Sequence, residues 1–199
     1  MNDANRHLAD TLRALRRARG WSLDRAAAQT GVSKAMLGQI ERGESSPTVA
    51  TMWKLADGFQ ASMSSLLEPP PPVQEDPLLL RRADHIRRQR TDGGMLAASL
   101  FPFEARFGFE VLEVTLLPDY ERLADGHEAG VIEHVLVVTG ALEIRVDGQW
   151  LALATGECLR FAADRPHGYR NRGTVPAVFH NLIHYRGRGA SPAQVDHAL

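Results

Sequence analysis

The sequence predicts an α+β protein in two domains, an all-α N-terminal domain followed by an all-β one. Three observations carry that expectation. Apolar residues recur at helical spacing from Leu8 to Leu67, four prolines fill positions 69–72, and apolar and polar residues alternate with period two further on. The expected boundaries are 1–68 for the helical domain, 69–77 for a proline-rich linker and 78–199 for the β domain. Proline runs favour extended polyproline II geometry, so the linker is expected to hold the two domains apart at a defined reach.

The first helix reads as amphipathic, with Leu8, Leu12 and Leu15 as its inner stripe. Arg6, Arg13, Arg16, Arg17 and Arg19 make a basic outer face. A second helix follows Ser22; Leu23, Ala26 and Ala27 turn inward, and the small alanines admit a close neighbour. Gly31 ends it, because glycine takes the left-handed backbone of a helix C-terminus without strain. Val32 packs beneath the turn, Ser33 caps a third helix, and Leu37 and Ile40 anchor that helix inward. Thr48 caps a fourth helix with the stripe Val49, Met52, Leu55, Ala56 and Phe59; Met63, Leu66 and Leu67 mark a short fifth.

Two short helices joined by a glycine turn, the second with a polar outer face, suit the major groove of DNA. Lys34, Ala35, Gly38 and Gln39 make up that face. Glutamine pairs with adenine, lysine with guanine, and an alanine methyl packs on thymine. Gly38 costs about 1 kcal/mol against alanine in a helix interior; close approach to DNA or close packing would each explain it. Residues 8–67 resemble the helix-turn-helix domain of the phage-repressor-like (XRE, Cro/C1-type) regulators. The matching residues are the L-x-x-A-A-x-x-x-G-V-S of Leu23 to Ser33 and the I-E-R-G-x-x-x-P of Ile40 to Pro47. The resemblance implies a five-helix lambda-repressor-like fold and a double-stranded DNA operator as partner. It implies phosphate contacts from Ser22, Arg25, Arg42, Ser45 and Thr48, with Ser33 at the tip of the reading helix. Such contacts supply affinity and register and little sequence information.

Composition agrees with this reading. Through Glu68 the chain carries nine Lys or Arg against seven Asp or Glu, and the remainder fourteen against seventeen, so the basic excess sits at the DNA-binding end. No apolar run approaches the roughly 20 residues of a membrane helix, and the N-terminus lacks the apolar core of a signal peptide. The expectation is a cytoplasmic, nucleoid-associated protein with no membrane partner. Cys158 is the single cysteine, which excludes an internal disulfide and a thiolate zinc site. A redox-sensing thiol and an inert buried one are both open for it, and the buried one is expected.

After Pro77 strands dominate. Phe109–Leu117 reads FEVLEVTLL, Val135–Val138 is apolar and β-branched, and Leu142–Val146 alternates up to Asp147-Gly148, a hairpin signal, with Trp150–Leu153 as the returning strand. Val178–Tyr185 is the last strand, and the only helix expected after Pro77 is a weak one near the C-terminus. Short strands separated by turns point to an antiparallel sandwich or small barrel. His127–Gly140 (HEAGVIEHVLVVTG) and Gly156–Asn171 (GECLRFAADRPHGYRN) resemble the two motifs of the cupin superfamily, a double-stranded β-helix barrel. His127, Glu133 and Gly140 fall on the first motif; Gly156, His167 and Asn171 fall on the second. Position 129, where the family has another histidine, is Ala129.

What the resemblance leaves is His127, Glu133 and His167, two histidines and a carboxylate. Such a set holds a divalent metal, zinc, iron, nickel or manganese, with open positions. The alternative is a metal-free polar pocket in which the same three residues bind an organic effector. His134, next to Glu133 on a strand, is expected to face the other way, and His180 and His184 share one face of the last strand as substitute ligands. The pairing of the two resemblances implies a DNA-binding regulator, more specifically a repressor, whose cupin domain senses a small molecule. It also implies a homodimer on a near-palindromic operator. The alternative in another class is a helix-turn-helix and cupin iron enzyme acting on a small acid. A ligand-free phage repressor or antitoxin is the third reading, favoured if side chains fill the barrel.

Overall fold

The computed structural model describes residues 3–69, 79–86 and 93–186. Most of the proline run and the expected C-terminal helix lie outside the described residues. Five helices come first: α1 Asp3–Ala18, α2 Leu23–Thr30, α3 Lys34–Glu41, α4 Val49–Gly58 and α5 Met63–Leu67. Side-chain caps set four of their starts. Ser22, Ser33, Thr48 and Ser62 each accept the backbone N–H three residues on, supplying partners that the first turn of a helix lacks. Gly31 closes α2 at φ 65°, and its N–H donates to the Ala27 carbonyl. Leu8, Leu12, Leu37, Ile40, Met52, Leu55, Phe59, Met63 and Leu66 are buried together.

The arginines of α1 depart from the expected solvent-facing stripe. Arg16 grips the buried Glu41 carboxylate through Nε at 2.6 Å and Nη2 at 2.8 Å, Arg13 donates to the Glu41 carbonyl, and Arg19 donates to the Phe59 carbonyl. Three of the five therefore pin helices together. The cause is reach: a guanidinium on a long apolar stem can lie along the core and still satisfy helix-end carbonyls.

A short turn of helix, α6 Ala83–Ile86, precedes nine strands: β1 Met95–Glu104, β2 Phe109–Leu116, β3 Glu121–Ala124, β4 Ile132–Thr139, β5 Ala141–Val146, β6 Gln149–Ala154, β7 Cys158–Ala162, β8 His167–Arg170 and β9 Ala177–His184. They form two antiparallel sheets, in the orders β1-β2-β9-β4-β7 and β3-β8-β5-β6. The Asp147-Gly148 hairpin is present, both residues at positive φ. Inward residues of the two sheets meet as one core; Tyr169 of β8 stacks on Phe179 of β9 with centroids 5.5 Å apart.

Alternation along the strands decides which histidines reach the interior. His134 is exposed, as expected. On β9 the inward residues are Phe179, Asn181 and Ile183, so His180 and His184 look outward and do not substitute as ligands. His180 faces Glu113 of β2, at 3.8 Å. Cys158 pairs across from the outward Leu136 and is exposed, contrary to the expected buried thiol.

The helical head does not stand apart from the barrel. Helices α4 and α5 pack on β1. Fully buried Glu110 of β2 accepts the first two N–H groups of α5, from Met63 at 3.0 Å and Ser64 at 2.7 Å, and the Tyr185 hydroxyl donates to the same carboxylate. A barrel side chain thus completes a helix of the head. Glu110→Ala removes the acceptor of the buried Met63 and Ser64 N–H groups and is expected to cost about 3 kcal/mol. Chemical denaturation reads the loss, and a loss below about 1 kcal/mol would contradict the assignment.

The DNA-recognition face and a buried histidine-carboxylate centre

Lys34, Ala35 and Gln39 on helix α3, and its cap Ser33, are exposed to solvent. Met36 stands exposed among them and was not foreseen. Gly38 is buried instead: a methyl there would meet the Arg42 guanidinium at 3.1 Å, with Leu23 of α2 at an ordinary contact distance of 4.0 Å. Arg25 and Arg42 are exposed, Ser45 and Thr48 half-exposed, and Ser22 and Thr48 are also helix caps. Lys34 pairs with Asp24 at 2.8 Å and Arg42 with Glu44 at 2.7 Å and 2.8 Å. These ion pairs are solvent-exposed and weak. Phosphate can displace them.

The barrel brings His127, Glu133 and His167 together. One ligand atom from each lies within 4.8 Å of the others. Glu133, on the inward face of β4, is 1% exposed. Its Oε1 meets His127 Nε2 at 2.6 Å and stands 3.7 Å from His167 Nε2. Its Oε2 accepts from Asn181 Nδ2 at 2.9 Å and from the Tyr169 hydroxyl. His167 on β8 gives its Nδ1–H to the Arg165 carbonyl at 2.9 Å, and its buried Nε2 makes no hydrogen bond among the described residues. The amide oxygen of Asn181 is likewise buried without a hydrogen bond among the described residues.

His127 faces the other way as well. Its Nδ1 bonds Asp57 of α4 at 2.6 Å, and Trp53 of α4 lies on its ring, centroids 5.8 Å apart. The second oxygen of Asp57 faces Arg122 of β3 at 3.7 Å. A continuous path therefore runs from the DNA-binding head into the barrel through Asp57, His127 and Glu133. Burial alone would lower the His127 pKa, but the hydrogen bonds to Asp57 and Glu133 raise it to about 10. Burial would raise that of Glu133; His127 and the donors around it hold it down to about 2. His127 is accordingly an imidazolium between two carboxylates. Desolvation, together with the Glu133 charge, pushes the Tyr169 hydroxyl well above its usual range, so it stays a donor.

The signs give a pH window. The raised His127 pKa means its stabilising share is whole below about pH 6.5 and fades as pH rises towards 10. The depressed Glu133 pKa means its share is whole above about pH 4.5 and fades towards pH 2. This group's share of the stability is expected to fall by roughly 4 kcal/mol between pH 6.5 and 10. Denaturation at several pH values, with Asp57→Asn as the reference showing a shallower fall, checks this. Parallel profiles would contradict the charge assignment.

A fully helical head with an exposed reading helix, joined to an antiparallel barrel with two cupin motifs, defines a DNA-binding regulator of modular type. The comparisons with known proteins agree. Residues 12–66 match the helix-turn-helix family model and residues 112–183 the cupin domain model. The chain is 46% identical over 188 residues to the HTH-type transcriptional regulator SutR of Escherichia coli, covering 93% of this chain and 98% of that protein. The crystal structure of an HTH_3 family transcriptional regulator from Vibrio cholerae aligns with TM-score 0.75 at 42% identity, over 92% of this chain and 99% of the other. Protein SchB of Streptomyces halstedii is 32% identical over 99 residues, 49% of this chain and 72% of SchB. The chain belongs to the helix-turn-helix transcriptional regulators that carry a cupin domain. No helix among the described residues is long and apolar enough to cross a membrane.

Asp57, Tyr169, Asn181 and Arg122 were not foreseen as part of this centre. Asp57 lies 70 positions before His127, and Asn181 lies 48 after Glu133. The one sequence signal for Asn181 is its odd-even phase with Phe179 and Ile183 on β9.

Proposed function

We propose that the protein is a metal-responsive repressor that binds a near-palindromic operator as a homodimer, in the cytoplasm at the nucleoid. The observation that carries the reading is the Asp57–His127–Glu133 path, which ties the state of the barrel to the head holding Lys34, Ala35 and Gln39. His127, Glu133 and His167 hold the metal. The donor set fits zinc, iron, nickel or manganese, and the His167 Nε2, turned towards Glu133 by the Nδ1–H bond to the Arg165 carbonyl and without a hydrogen bond among the described residues, supports a ligand role. Ala129 leaves this a three-ligand set.

A divalent cation held there would supply positive charge beside the buried Glu133 carboxylate, with His127 offering Nε2 as a ligand. Its Nδ1 would keep the bond to Asp57, whose second oxygen faces Arg122, so the occupancy of the centre would be felt at α4. The two heads of the dimer, set about one DNA turn apart, change their relative placement accordingly.

An operator titration in EDTA and then with zinc, iron(II), nickel or manganese tests this. A metal-dependent change in affinity of fivefold or more is expected, on the scale of about 1 kcal/mol of coupling. His167→Ala is expected to abolish that change while DNA binding remains measurable. An unchanged metal response in His167→Ala removes the centre from consideration. The same triad would serve an iron enzyme. Stoichiometric iron with oxygen-dependent turnover would establish that reading and overturn this one.

A further inference from the structure

Between head and barrel runs a cleft of about 370 Å³, walled by the C-terminal end of α2, by α4 and by β3. It lies outside the barrel, on the far side of Asp57 from the triad. Its size comes from the close meeting of two helix ends: a Cβ on Gly58 would stand 2.6 Å from Thr30 Cα and 2.7 Å from the Gln29 carbonyl oxygen. A side chain at position 58 would force those ends apart.

Arg122 is the group that the fold leaves without an account. Its side chain is 8% exposed and its guanidinium lies over Trp53, 5.3 Å from the ring centroid. The nearest carboxylate, Asp57, stands at 3.7 Å, beyond hydrogen-bond length, and its other oxygen is taken by His127. Among the described residues the five donors of Arg122 make no hydrogen bond. The guanidinium lines the cleft, so its donors are open to a ligand entering there. Lys54 lines it too. It sits three residues before Asp57 on α4, is exposed, and has no partner among the described residues.

We infer that this cleft binds a small organic carboxylate, gripped by Arg122 of the barrel and Lys54 of the head. A planar guanidinium offers a carboxylate two parallel donors, and its seat on Trp53 fixes the plane in advance. The lysine, on α4, adds a point charge. Asp57 also lines the cleft, but one of its oxygens is bonded to His127 and the other stands 3.7 Å from Arg122, so the guanidinium keeps its donors for a ligand. Asp125 stands at the exposed rim, where solvent screens it. A ligand held at both walls joins the two domains directly, so this is a second input beyond the metal centre.

The test is a calorimetric titration of EDTA-treated full-length protein with malonate against sodium chloride of equal ionic strength. Removing metal keeps an anion ligating the triad from giving a signal, so the result stands apart from the fate of the metal reading. Saturable binding to one site is expected. Arg122→Gln is expected to weaken it at least about tenfold and Lys54→Ala about fivefold, the effect of losing one charge-assisted contact. Lys54 is exposed, so its removal keeps the fold if Arg122→Gln loosens it. Non-saturable heats, heats matched by chloride, or wild-type affinity in Lys54→Ala would each overturn the assignment.

Discussion

Glu133→Ala is expected to abolish stoichiometric metal binding and to destabilise the protein by about 3–5 kcal/mol, the range for removing one partner of a buried ion pair. The substitution leaves the His127 imidazolium with Asp57 as its one carboxylate. It also strips the Tyr169 hydroxyl and the Asn181 amide of their shared acceptor. Elemental analysis reads the metal and guanidinium denaturation the stability. Glu133→Gln keeps the volume and separates charge from packing: it is expected to lose metal equally and less stability. Full metal occupancy in either variant, or a cost below about 1 kcal/mol in the alanine variant, would sink the account of the centre.

Gln39→Ala is expected to cost about 1–3 kcal/mol at its cognate base and to relax specificity there, whereas Arg42→Ala should weaken all sequences alike and flatten the salt dependence. The contrast follows from position. Gln39 is exposed on α3 and its side chain makes no hydrogen bond among the described residues, while Arg42 lies just past the helix end with its fork on Glu44. Selection of bound sites from random duplexes, repeated over a salt series, separates the two effects. Unchanged specificity in Gln39→Ala would move the recognition surface elsewhere.

Local chemistry made the head legible in the sequence. Ser33 and Thr48 announce their helices because a hydroxyl three residues before an N–H is a local arrangement, and Gly31 announces the turn for the same reason. In the barrel, the Asp147-Gly148 hairpin was legible, and so was the meeting of His127, Glu133 and His167 through the motif resemblance. What failed depended on register. Placing Asn181 inward and His180 outward requires the phase of β9 against β2 and β4, and pairings across tens of residues fix that phase. Cys158 failed likewise, since the outward Leu136 opposite it sets its side. Strand β1 went unrecognised because Met95–Glu104 mixes small, aromatic and proline residues without clean alternation. Asp57 was invisible as a member of the centre because nothing in an α-helical sequence tells which distant barrel its last turn will touch.

The placement of Asp57 at the last turn of α4 gives that helix two addresses. Its cap, Thr48, belongs to the segment expected against the phosphate backbone, and nine residues later Asp57 grips the histidine of the barrel. A ten-residue α-helix is a rod of about 15 Å whose backbone bonds keep its length fixed. Such a rod bends little, so its capped end and its barrel-facing end move as one piece.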